Sequence, residues 1–189
     1  ASLRAIPNLL TIRPGDANEV VEAWRFILPL QHDPVMLVLS RRNLPTLDRT
    51  KYAPAAGLAK GAYVLADPPQ GAPEVLLLAT GSEVGLCITA YEELTKRGIK
   101  ARVVSMPCWE LFERQPQAYR DQVLPPTIIA RVAVEQASTL GWAHYTGLTG
   151  AIIGMRTFGA SAPLKDVQKK FGFEPEAVVE AALGQLGSK

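Results

Sequence analysis

The stretch EVLLLATGSEV, Glu74 to Val84, limits what this chain can fold into more than any other. The apolar run Val75 to Ala79 is unbroken, so a strand here has no polar face to offer water and must be covered on both sides. The period then changes. Thr80, Gly81, Ser82 and Glu83 form a capping-box pattern, and Val84, Cys87, Ile88, Tyr91 and Leu94 share one face of a helix that Gly98 closes. A buried strand running into an amphipathic helix is the repeating unit of a layered α/β sheet.

The same unit recurs on either side. Residues 8–12 read as a short strand; Asp16, three residues before Glu19, then opens a helix with Val20, Ala23, Trp24, Ile27 and Leu28 at helical spacing. Residues 34–40 read as a parallel strand covered on both faces. A Pro- and Gly-rich crossing follows over residues 43–74, with one strand at GAYVLA. Beyond the central unit come a strand over 100–106, a broken helical stretch over 108–124, strands over 127–137 and 150–155, and helices over 166–171 and 175–183. The expected architecture is α/β, a three-layer sandwich around a mostly parallel sheet, preceded by a smaller partial α/β unit.

With 189 residues, 48% hydrophobic and 20% charged, the chain can bury a substantial core. A formal charge of +2 with basic and acidic residues interspersed gives no field to hold nucleic acid or an anionic membrane, so neither is expected as a partner. No apolar run approaches the roughly 20 residues of a membrane span, and the first residues lack a signal-peptide pattern, which makes the cytoplasm the expected compartment. Cys87 and Cys108 form no disulfide framework and no CxxC. Cys87 should be buried on its helix stripe and Cys108, just past a strand end, partly reachable. With only His32 and His144 beside them, no metal site is expected within the chain.

Several features are candidates for chemistry. ATGSEV places small residues at a helix start, where phosphates bind, but it is neither GxGxxG nor a Walker loop and reads better as a structural turn. Glu135, near the end of a strand, reads as a rim or interdomain carboxylate more readily than as a general base. His144 reads as a packed neighbour of Trp142 and Tyr145. Cys108 lacks an activating neighbour. The strongest case is SRRNLP, residues 40–45: paired arginines in the loop at the carboxyl end of a parallel strand, where open α/β sheets place ligands. A guanidinium fork suits phosphate. Spacing alone leaves a phosphate contact and an ion pair equally open, and does not choose between Arg41 and Arg42.

The ordered set IPNLLTIRPGDANEV, LSRRNLP, GAYVL, LLLATGSEV, ARVVSMPCWELF, YRDQVLP, RVAVEQ, GAIIGMRTFGASAP and KKFGF resembles the C-terminal part of transketolase over nearly the whole chain. Related deoxyxylulose phosphate synthases carry a PRG-type motif where this chain reads SRRNLP, which favours transketolase. A nucleotide- or effector-binding α/β module is the alternative from another class.

The resemblance implies a pyrimidine-binding-domain remnant over residues 1–66, with the crossing extending to about 74, and a transketolase C-terminal domain over 67–189. It implies a parent enzyme that moves a two-carbon ketol unit between sugar phosphates in the pentose phosphate pathway or Calvin cycle. That parent would be a cytoplasmic homodimer using thiamine diphosphate with a magnesium or calcium ion. Neither cofactor nor metal is expected on these residues, because the family's catalytic and cofactor groups lie upstream. One family contact falls within the chain: the arginine of SRxNLP, here Arg41, to the substrate phosphate. Arg42 stands where the family often has glutamine.

Overall fold

A computed structural model describes residues 1–187. Its strands form two sheets. In the first, β1 (Leu10–Ile12) and β2 (Val35–Leu37) pair in parallel with Ile12 opposite Leu37, and α1 (Ala17–Ile27) connects them. The second contains β3 (Tyr63–Ala66), β4 (Val75–Ala79), β5 (Ala101–Ser105), β6 (Arg131–Ser138) and β7 (Ala151–Met155) in the order β3-β5-β4-β6-β7. All are parallel except β3, which runs antiparallel to β5.

The central strand explains the three layers. Successive side chains of a strand face opposite sides. Val75, Leu77 and Ala79 therefore join one core with α2 (Val84–Lys96) and α7 (Pro175–Gly187), through Cys87, Ile88, Leu94, Val178 and Val179. Leu76 and Leu78 join the other core with α3 (Trp109–Glu113), α4 (Gln117–Val123) and α5 (Ala143–Thr146), through Phe112, Val123, Trp142 and Tyr145. Each fully buried leucine here contributes about 1.5–3 kcal/mol of transfer free energy. The helix α6 (Leu164–Phe171) precedes α7, whose first residue is Pro175. The short α5 has no apolar period long enough to announce it.

The first sheet departs from expectation. Met36 is 42% exposed and Val35 and Leu37 are half-buried, so β2 is covered on one side only, by the core that Leu10, Ile12, Ala23 and Leu58 form beneath it. In α1 the expected apolar stripe holds at Ala23 and Ile27 but not at Trp24 or at Leu28 just past its end, which face outward, while Glu19 is buried instead. That core also corrects the expectation for Cys108. It is fully buried, because β1, the 3-10 turn Ala55–Lys60 and Leu111 close over it.

The division expected after Ala66 falls behind β3, whose ladder belongs to the second sheet. At the entrance to β3, Gly61 has φ +83°, and a Cβ there would meet the Phe112 amide nitrogen at 2.2 Å and the Cys108 carbonyl at 2.3 Å. Only glycine admits this approach of the chain to α3.

Candidate functional site

The two sheets meet along a seam of buried charge. Glu135, on β6, accepts from Arg4 Nη1 at 3.0 and 2.9 Å, from Arg13 Nη1, and from Trp142 Nε1 at 2.8 Å. The Arg4 guanidinium carbon also lies over the Trp109 ring, 3.8 Å from its centroid. Arg13, directly after β1, is held through its backbone as well: its N–H donates to the Pro107 carbonyl at 2.8 Å and its carbonyl accepts from Gly81 at 3.1 Å. Burial works to raise the Glu135 pKa, but the Arg4 hydrogen bonds, the charges of Arg4 and Arg13 and the Trp142 N–H outweigh it. The carboxyl sits below the ordinary range.

A second carboxylate crosses in the opposite direction. Glu19, on α1, accepts from Ser105 Oγ at 2.6 Å and Tyr63 Oη at 2.7 Å in the second sheet, and from the Gly15 N–H at 2.7 Å. Burial exceeds the effect of these three donors, so its pKa is raised. Glu83 is raised for the same first reason, although Ser82, the Arg13 charge and the Gln136 N–H oppose it; Arg13 Nη2 lies 3.5 Å from its Oε2. Glu135 is thus an interdomain carboxylate, as its position suggested. The arginines that hold it were not singled out, because nothing in the sequence joins Arg4 and Arg13 to a residue more than 120 positions away.

ATGSEV forms a structural turn. The Gly81 N–H is already given to Arg13, the Thr80 hydroxyl makes no cap bond, and Glu83 is buried beneath. His144 is exposed, edge-on to Tyr145 at 4.8 Å, with Nε2 3.1 Å from Glu113. Both thiols are unpaired and buried; burial pushes Cys87 far up and Cys108 to about 12. Among the described residues no three His, Cys, Asp or Glu side chains gather as metal ligands, and no helix is long and apolar enough to cross a membrane.

The arginine loop is open. It leaves β2 at Val38, whose N–H donates to the Ile12 carbonyl at 2.8 Å, and its one internal bond runs from the Arg42 N–H to Ser40 Oγ at 3.0 Å. Arg41 and Arg42 are both exposed, and among the described residues neither guanidinium meets a carboxylate. Arg42 lines a cavity of about 370 Å³ together with Asp16, Val20 and Ser40; Arg41 does not. The chain bends at both residues, so strand alternation does not by itself orient them.

A model described as the transketolase-like C-terminal domain matches residues 61–174, and one described as the transketolase pyrimidine-binding domain matches residues 1–46. The chain belongs to the transketolase family. The transketolase of Geobacillus stearothermophilus is 49% identical over 99% of this chain, and the match spans 28% of that relative. Among solved transketolases, that of Leishmania mexicana superposes with a TM-score of 0.90 at 40% identity, covering 99% of this chain and 26% of its own. One from Pichia stipitis, solved as a complex with sedoheptulose 7-phosphate, has a TM-score of 0.88 at 36% identity, covering 98% and 26%. The chain therefore spans little more than a quarter of the length of its transketolase relatives.

Proposed function

We propose that this chain works as the C-terminal part of a longer, cytoplasmic, homodimeric transketolase. That enzyme moves a two-carbon ketol unit from a ketose phosphate to an aldose phosphate, and these residues contribute the arginine that holds the substrate phosphate. The choice of Arg41 over Arg42 rests on its place in the SRxNLP motif of the family; the supporting observation is that the loop after the parallel strand β2 leaves both guanidinium groups exposed and, among the described residues, free of any carboxylate. The solved Pichia stipitis relative, a complex with a sugar phosphate, supports the substrate class.

Thiamine diphosphate would supply the nucleophile and electron sink for such a transfer. The family resemblance puts that cofactor and its divalent ion on other parts of the polypeptide. What this portion provides is binding and orientation at the phosphate end and a packed domain behind it.

The test is Arg41→Ala in the enzyme that carries this sequence. Charge-assisted hydrogen bonds are each worth roughly 1.5–3 kcal/mol, so kcat/KM for a phosphorylated donor should fall about ten-fold to a few hundred-fold, mostly in KM. Hydroxypyruvate, which has no phosphate, should be turned over nearly as before, and Arg42→Ala should do much less. Equal losses for both donors would make Arg41 structural.

A further inference from the structure

The loop that carries Arg41 has almost nothing to hold it. Between the Val38 N–H at one end and Leu47 at the other, it makes no hydrogen bond to the rest of the described residues, and an open cavity lies beneath it. At Leu47 the situation reverses. The Leu47 N–H donates to Asp16 Oδ2 at 3.0 Å, and Asn18 Nδ2 donates to the Leu47 carbonyl at 3.0 Å and also approaches Asp16 Oδ2 at 3.2 Å.

Asp16 divides its two oxygens between two tasks. Oδ1 serves the scaffold: it caps α1 by accepting the Glu19 N–H at 2.9 Å and takes Arg49 Nη2 at 2.9 Å. Oδ2 serves the loop. The side chain is 1% exposed, so water does not substitute for either set of donors. We infer that Asp16 is a positioning residue for substrate phosphate: by gripping Leu47 from the capped start of α1, it fixes the course of the loop that presents Arg41. This rests on Arg41 holding the phosphate, as proposed above.

The division of oxygens supplies the variant. Asp16→Asn keeps one carbonyl oxygen, which can still cap α1 and accept from Arg49, but its amide NH2 then faces two donors, the Leu47 N–H and Asn18 Nδ2. The clamp is lost while the helix start keeps its acceptor. In the whole enzyme, KM for xylulose 5-phosphate should rise about ten-fold, because a small misplacement of a positioning group carries such costs. The hydroxypyruvate KM should stay within about two-fold, since that donor makes no demand on the loop. In an Arg41→Ala background the same substitution should add almost nothing, as two residues acting through one contact are not additive.

Hydrogen exchange completes the test. The Leu47 amide, whose N–H Asp16 Oδ2 accepts, should exchange faster in Asp16→Asn while the amides of α1 do not. Equal KM changes for both donors, or an undiminished effect in the Arg41→Ala background, overturn the role of Asp16 in phosphate binding. Unchanged exchange at Leu47 overturns the clamp itself. If Arg41→Ala shows no preference between donors while exchange still quickens in Asp16→Asn, the phosphate assignment falls and the clamp stands.

Discussion

Arg4 Nη1 lies 3.0 and 2.9 Å from the two carboxylate oxygens of Glu135, although 131 positions separate the two residues. Both side chains are more than nine-tenths buried, so this contact, unlike a surface ion pair, is shielded from solvent. Its value to the fold is asymmetric. Burying both charges is costly, but removing one leaves the other stranded.

Glu135→Ala should therefore destabilise the chain by about 3–5 kcal/mol, because it strands the buried Arg4 and leaves Arg13 only its longer contact with Glu83. Urea unfolding would show this as a lower midpoint at similar slope. Coupling it with Arg4→Met should restore part of the loss. A double variant no better than the single one would place the cost in Arg13 and Trp142 instead.

The pH dependence separates the buried acids by sign. Glu135 has a lowered folded pKa, so its stabilisation is complete above the unfolded glutamate value of about 4.3 and is lost as pH falls below it, through the depressed folded value. Glu83 has a raised folded pKa, so its contribution runs the other way, declining as pH rises from about 4.3 through that raised value. Unfolding free energies of wild type minus Glu135→Gln, and of wild type minus Glu83→Gln, should slope oppositely with pH. Parallel slopes would refute the assignment.

Neither thiol should react in the native state. Cys87 and Cys108 are both fully buried and carry raised pKa values, so thiolate is scarce and access requires opening of the structure. A thiol reagent should label both slowly and much faster in urea. Rapid labelling of Cys108 alone would restore the partial access that its place after β5 suggests.

Two glycines with similar φ should respond differently to alanine. At Gly98, with φ +76° and no atom within 4 Å of a built Cβ, the cost is that of the left-handed conformation, about 1 kcal/mol. At Gly61 the methyl group would run into the backbone of α3, so Gly61→Ala should lower stability by several kcal/mol, as overpacking adds to strain. Equal midpoints in denaturant would show that α3 yields without cost.

Unbroken apolar runs made the second sheet legible: Val75 to Ala79 reads as a strand covered on both sides, and the one-faced apolar stripe of α2 follows it. Gly98 and Asp16 marked a helix end and a helix start for local steric and hydrogen-bonding reasons, and both stand where they were expected. Burial at β2, Trp24 and Cys108 was misjudged because it depends on which element lies across the seam, and no local period encodes that. Glu19 was legible as a first-turn residue but not as a bridge to Tyr63 and Ser105, since its partners are fixed by the packing of two sheets.

The two crossing carboxylates bear on how such sequences can be recombined. Glu19 lies before residue 47 and takes two of its donors, Tyr63 and Ser105, from beyond residue 60; Glu135 lies beyond residue 60 and takes Arg4 and Arg13 from before residue 47. A chimera joined anywhere between Leu47 and Lys60 inherits both acids from different parents than their partners. Such hybrids should assemble only when each parent brings a matching set, so the seam acts as a lock on which halves can be exchanged.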